Sequence, residues 1–182
     1  DAVDRLLGTS DSGWHGGERD EKDHRRAHSG RSQSRRHLVM EALHAVNDRV
    51  GWISPGALNY IGKRLGIAAA DVYSVATFYA MFSTNMRPKR IVHVCTDIAC
   101  MARGSKEVCA DLEKRLGPAG AMSGWKHSPC LGVCERAPAA LAVEAADLPH
   151  EHLIGPATAD EVVLALNNGP VALAAEAPPG MA

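Results

Sequence analysis

Four cysteines constrain this chain more than any other feature. They form two close pairs, Cys95 and Cys100 in CTDIAC and Cys130 and Cys134 in CLGVC, with 29 residues between the pairs. If the thiols act together, the fold must bring two separate loops to one place. Thiolate sulfur is a polarisable donor that selects zinc, copper(I) or iron-sulfur and gains little from magnesium or calcium. No secretory signal is visible, so the thiols are expected in a reducing compartment, where metal binding is favoured over a disulfide framework. Three or four intervening residues let two sulfurs of a pair reach one iron, and a nearby glycine, Gly104 or Gly132, lets backbone approach inorganic sulfide.

This pattern points to one [2Fe-2S] cluster on Cys95, Cys100, Cys130 and Cys134, with a four-cysteine zinc site as the alternative. Neither pair is a tight C-x-x-C knuckle, and an α/β sheet able to build its own core needs no zinc brace. Cys109 lies inside an amphipathic stretch, outside both pairs, and reads as a structural thiol. His93 and His127 lie near the cysteines in sequence but lack the repeated close pairing with cysteine expected of a mixed histidine and cysteine centre. The other seven histidines read as surface or capping groups.

The 182 residues suit one ordinary domain, or a small domain with a helical segment before it and tails. Twenty Lys plus Arg against 21 Asp plus Glu leave no general attraction to nucleic acid or anionic membrane. No apolar run is long enough to span a bilayer, and a cytoplasmic location is the expectation, with attachment to the inner membrane face only through a larger complex.

Residues 1–36 mix Gly, Ser, His and charges of both signs, and read as a mobile arm. Its basic patch, Arg25, Arg26, Arg31, Arg35 and Arg36, is either a solvated charge run or a contact for an acidic partner. Residues 37–86 read as a small helical bundle. Leu38, Ala42, Leu43, Val46 and Val50 recur at helical spacing and stop at Gly51; Ser54 and Pro55 open a second helix that ends at Gly66; a third runs from Ala69 into ATFYAMF.

Residues 87–168 read as strand, helix, strand, strand, strand, helix. Ile91 to Val94 form a buried strand that delivers Cys95, and residues 105–116 form a helix stopped by Gly117 and Pro118. A weak strand falls within residues 122–128. Two more flank a turn at residues 147–149, and Thr158 with Glu161 caps a last helix. This order describes an α/β fold of thioredoxin-like type after a helical bundle. Residues 169–182 form an Ala/Pro-rich tail expected to be loose.

Four segments in order, ISPGALNYIGKRLGI, DVYSVATFYAMF, VCTDIAC and SPCLGVCERAP, resemble the thioredoxin-like [2Fe-2S] subunit of complex I (NADH-quinone oxidoreductase) and its relatives in NAD-linked formate dehydrogenases and hydrogenases. The resemblance covers about 130 residues, from His37 to Asn168. It implies the same four cysteine ligands, and a partner flavoprotein that carries FMN, the NAD(H) site and a [4Fe-4S] cluster, alongside further iron-sulfur subunits. The segment before Cys95 looks like the family's docking element, which gives the aromatics of ATFYAMF an interface role beside burial in this chain's own core.

The expected function is electron transfer within a multisubunit NAD(H)-dependent oxidoreductase. The chain shows no phosphate-binding loop, dinucleotide turn or nucleophile-and-base signature of its own. The alternatives are a free-standing [2Fe-2S] ferredoxin and a zinc-braced adaptor.

Overall fold

The computed structural model describes residues 2–8, 35–120 and 122–168. The tail over 169–182 and most of the charged arm lie outside the described residues. The start of that arm does not match the expectation of a loose segment. Ala2–Leu7 form a helix, α1, and Val3 is only 1% exposed within the helical core. Ala2, Val3, Leu6 and Leu7 are apolar, but six residues are too few to announce a helix, and it is the complementary surface of neighbouring helices that buries Val3. Arg35 and Arg36 of the basic patch bond within this chain to residues distant in sequence: Arg35 donates to the carbonyl of Arg64, and Arg36 pairs with Asp71 at 2.6 Å.

A 3₁₀ turn, Arg36–Leu38, leads into α2, Val39–Val50. Gly51 ends α2 in the left-handed region, with its N–H on the Asn47 carbonyl. The Ser54 hydroxyl accepts from the Ala57 N–H at 3.1 Å and caps α3, Pro55–Leu65. Leu43, Ile53, Ile61, Leu65 and Val72 are essentially sealed from water in the shared core, each such side chain contributing roughly 1.5–3 kcal/mol on burial.

Helix α4, Ala69–Phe78, stops inside the aromatic cluster, because Tyr79 is extended. The chain then turns, with Phe82 in the core at 5% exposure and Phe78 facing solvent at 80%. Burial in this chain's own core, one of the two roles expected of the aromatics, holds for Phe82, while Phe78 lies at the surface.

The second half is a four-stranded sheet of β1 (Arg90–Cys95), β2 (Trp125–Ser128), β3 (Ala140–Glu144) and β4 (His150–Ile154), in the order β2-β1-β3-β4. β1 and β2 are parallel, which requires a crossover. It consists of α5, Ile98–Met101, and α6, Ser105–Leu116. β3 runs antiparallel to β1, and β4 antiparallel to β3.

Alternation along β1 sends Val92 and Val94 into a core with Leu112 of α6 and Val162 of the last helix, α7 (Ala159–Asn168). Ile91, His93 and Cys95 take the opposite side. Trp125 explains why β2 forms from few β-favouring residues: it is fully buried, donates to the Gly117 carbonyl at 3.1 Å, and aligns with Val92 in the parallel ladder. The expected capping box at α7 is reciprocal: Glu161 accepts from the Thr158 N–H and hydroxyl, and its own N–H reaches the Thr158 hydroxyl.

Candidate metal centre

Sheet topology brings the two cysteine loops together. Because β1 and β2 are parallel, their C-terminal ends lie side by side, with Cys95 opposite Ser128 in register. Cys95 ends β1, and Cys130 follows β2 by two residues. The junction is tied by the Thr96 N–H on the Ser128 carbonyl at 3.0 Å, and by the Cys95 N–H on the Ala139 carbonyl at 2.9 Å.

Cys100 is placed by α5, a single turn whose cap is Asp97, with its carboxylate accepting from the Ile98 N–H at 2.7 Å. Cys95 and Cys100 are 1% and 2% exposed and share an apolar pocket with Ala137 and Ala139. The Cys100 thiol is pushed up to about 11, first by burial and then by its hydrogen bond with Cys95.

Cys130 and Cys134 are exposed, with their sulfurs 3.5 Å apart. Gly132, at φ +80°, bends the loop so that its own N–H aims at the Cys130 sulfur at 3.4 Å. A residue with a Cβ would be strained in that conformation. The hydrogen bond with Cys130 raises the Cys134 thiol above its ordinary value. The charge of Cys134 contributes to the rise at Cys100, and the charge of Cys95 to the rise at Cys134, in keeping with the strand pairing that sets the two loops side by side. The expected role for Gly104 differs: at φ +94° it opens α6.

The turn that carries Cys134 is clamped by the loop that follows β4. The Arg136 guanidinium donates twice to the Gly155 carbonyl, at 3.2 and 3.1 Å. A Cβ on Gly155 would lie 2.8 Å from the Arg136 carbonyl oxygen, so only glycine allows this approach. Asp97, Thr96 and Arg136 are positioning residues that sequence reading passed over. Asp97 carried a legible signal, an acidic residue placed where a helix could begin.

Among the described residues, no three His, Cys, Asp or Glu side chains are grouped for a single metal ion. The thiols fall into two pairs instead. A tetrahedral zinc site needs four sulfurs around one point, whereas a two-iron cluster takes four cysteines as two pairs. The soft donors, their pairing and the backbone N–H on sulfur fit a [2Fe-2S] group.

The remaining sulfur and imidazole groups lie elsewhere. Cys109 is 7% exposed in the sheet core, and its sulfur meets Nδ1 of His127 at 3.7 Å. Burial, helped by the charges of Arg87 and Lys126, pulls His93 down to about 3, so its ring is neutral. A cavity of about 730 Å³ among α1, α2 and α3 contains none of the cysteines.

The family model for thioredoxin-like [2Fe-2S] ferredoxin matches residues 26–165. Among known proteins, an NADH-quinone oxidoreductase subunit of Pseudomonas aeruginosa is 37% identical over 106 residues, covering 55% of this chain and 64% of that protein. The corresponding NADH-quinone oxidoreductase subunit of Escherichia coli K12 is 31% identical over 105 residues, covering 54% and 63%. The chain thus spans somewhat less than two thirds of the length of these two relatives. Its counterpart in Salmonella typhimurium is 30% identical over 127 residues, covering 66% of this chain and 75% of that one. A crystal structure of an NAD+-reducing [NiFe]-hydrogenase aligns with a TM-score of 0.48 at 16% identity, over 74% of this chain and 23% of that chain. No helix among the described residues is long and apolar enough to cross a membrane. With the family model matched from residue 26 to residue 165, the chain belongs to the thioredoxin-like [2Fe-2S] ferredoxin family.

Proposed function

We propose that this chain is the electron-transfer subunit of a multisubunit NAD(H)-dependent oxidoreductase, holding one [2Fe-2S] cluster on Cys95, Cys100, Cys130 and Cys134. Its partner is a flavoprotein subunit that carries FMN, the NAD(H) site and a [4Fe-4S] cluster, with further iron-sulfur subunits beyond. Hydride chemistry belongs to that partner, and this chain has no active site of its own. When bound, a [2Fe-2S] cluster supplies a one-electron couple.

The observation that carries the reading is the meeting of two thiol pairs at the adjoining ends of two parallel strands, one pair sealed and the other open. The buried pair, in its pocket with Ala137 and Ala139, excludes water from one side of the site. The exposed pair keeps the other side open to a partner. The N–H of Gly132 on sulfur stabilises negative charge there, and such bonds raise the potential of a centre. Exposed Ile98 and Met101 beside Cys100, together with Phe78, supply apolar surface for docking.

The test is metal and sulfide analysis of anaerobically purified protein with visible and EPR spectra. Iron and sulfide in equal amounts, with a rhombic signal on reduction, are expected. One equivalent of zinc without iron refutes the cluster. Co-purification of the native chain with a flavoprotein tests the partner separately, since a free-standing ferredoxin migrates alone.

A further inference from the structure

The two parallel strands that deliver the cysteines are each associated with a cation that reaches toward the helical half, and both cations hold the same stretch of backbone. Arg87 stands three residues before β1, the strand that ends in Cys95. It is 7% exposed; its Nε donates to the Gly51 carbonyl, and its Nη2 to Asn47 Oδ1 and the Met81 carbonyl, both at 3.0 Å. Lys126 lies in β2, four residues before Cys130, in register with His93 and so on the face of the sheet opposite α6 and α7. Its Nζ donates to the Ala80 carbonyl at 2.9 Å. Both side chains border one cavity of about 300 Å³.

Ala80 and Met81 are the backbone between the outward and the inward aromatics. Phe78, 80% exposed, meets the ring of Tyr79 edge-on at 5.1 Å between centroids, and Tyr79 meets buried Phe82 at 6.3 Å. Phe82 in the helical core fixes the inner end of this row. It does not fix where the outer end stands relative to the sheet, because α4 has stopped at Phe78 and Tyr79 is extended. The two cations supply that reference. They hold adjacent carbonyls from the two chain segments that lead to Cys95 and Cys130, and a hydrogen bond from a charged donor is stronger than one from a neutral donor.

We propose that Lys126 and Arg87 are positioning residues for docking: they hold the exposed aromatic edge, Phe78 and Tyr79, in a set place relative to the cysteine loops, so that a flavoprotein seated on the aromatics meets the open thiol pair in one orientation. This rests on the electron-transfer reading given above. Arg87 is sealed and also serves α2 through Asn47 and Gly51, so its loss disturbs the fold as a whole. Lys126 is partly exposed and its printed bond is to Ala80, which makes it the residue on which docking and stability can be separated. A contact that only fastens the two halves together predicts a loss of stability and nothing more when Lys126 is cut back.

The test uses the full chain with its cluster, and the flavoprotein separated from the same native complex. Lys126→Met keeps the aliphatic stem and removes the donor. The variant should keep its iron, its EPR signal and its reduction by dithionite, while the flavoprotein concentration that gives half-maximal NADH-driven reduction of the cluster rises about tenfold, the worth of one hydrogen bond from a charged donor. Lys126→Arg, which restores a cationic donor, should recover most of that loss. Hydrogen exchange over residues 79–82 reads the contact without any partner, and should be faster in Lys126→Met. Faster exchange with unchanged NADH-driven reduction makes the contact structural only and overturns the proposal, as does unchanged exchange. A wild-type cluster that NADH and the flavoprotein fail to reduce overturns the electron-transfer reading itself, and the docking role with it.

Discussion

The two cysteine pairs differ in nearly every physical respect although both belong to one proposed centre. Cys95 and Cys100 are sealed at 1% and 2% exposure, one ending a central strand and the other riding on a capped helical turn. Cys130 and Cys134 are exposed on a loop shaped by a left-handed glycine and clamped by Arg136. A buried pair fixes position because its surroundings are close-packed, while an exposed pair depends on its own loop geometry. In the proposed centre the sealed pair would anchor the cluster, and the open pair would tune it and face the proposed partner.

The sharpest way to break this comparison is to replace one thiol from each pair. Cys95→Ser should reduce iron and sulfide to background and lower stability as well, since it places a hydroxyl in an apolar pocket, at a cost of about 1–3 kcal/mol. Cys130→Ser, with its oxygen in water, should weaken the cluster while leaving the apo chain as stable as before. Equal loss of iron and of stability in the two variants would remove the distinction between the pairs.

The next effect is one of pH on the metal-free chain. The folded state holds the Cys100 proton up to about 11, whereas an unfolded thiol releases it near the ordinary value of 9.0. The unfolded state then binds fewer protons between those values, so stability is full below about 9 and falls as pH rises toward 11. Denaturant unfolding across that window should show the decline, and Cys100→Ala should flatten it. An unchanged slope in that variant would assign the decline to other groups.

Gly132→Ala sharpens the role of the open pair. An alanine at φ +80° costs about 1–2 kcal/mol, and relaxation of the loop turns its N–H away from the Cys130 sulfur. A lower midpoint of unfolding and a more negative reduction potential are expected. A shift in stability with no shift in potential would confine Gly132 to shaping the turn.

The smallest effect belongs to the fifth thiol. Cys109→Ala should keep full iron and sulfide and cost about 1 kcal/mol through the cavity it leaves. Loss of iron in this variant would bring Cys109 into the centre and undo the division into two pairs.

Much of this molecule is legible in sequence because its signals are local. Gly51, the Ser54 and Pro55 start, and the Thr158 and Glu161 box mark helix ends by backbone chemistry that acts within one turn. The helix over residues 105–116 and the strand leading into Cys95 follow from side-chain period alone. Helix α1 was not legible, since the burial of Val3 depends on helices far along the chain. The weak strand β2 is fixed by Trp125 and by its register with β1, neither of which a four-residue stretch can announce.

The sequence by itself determined the supply of four soft donors in two close pairs, and the elements that carry them, because spacing and capping are properties of neighbouring residues. The tertiary structure alone decided which pair is sealed and which is open. It also decided that Arg87 and Lys126, 39 positions apart in sequence, face one cavity. The physical reason is that exposure and charge proximity depend on groups distant along the chain, which only the parallel pairing of β1 with β2 and the packing of helices against sheet bring within reach.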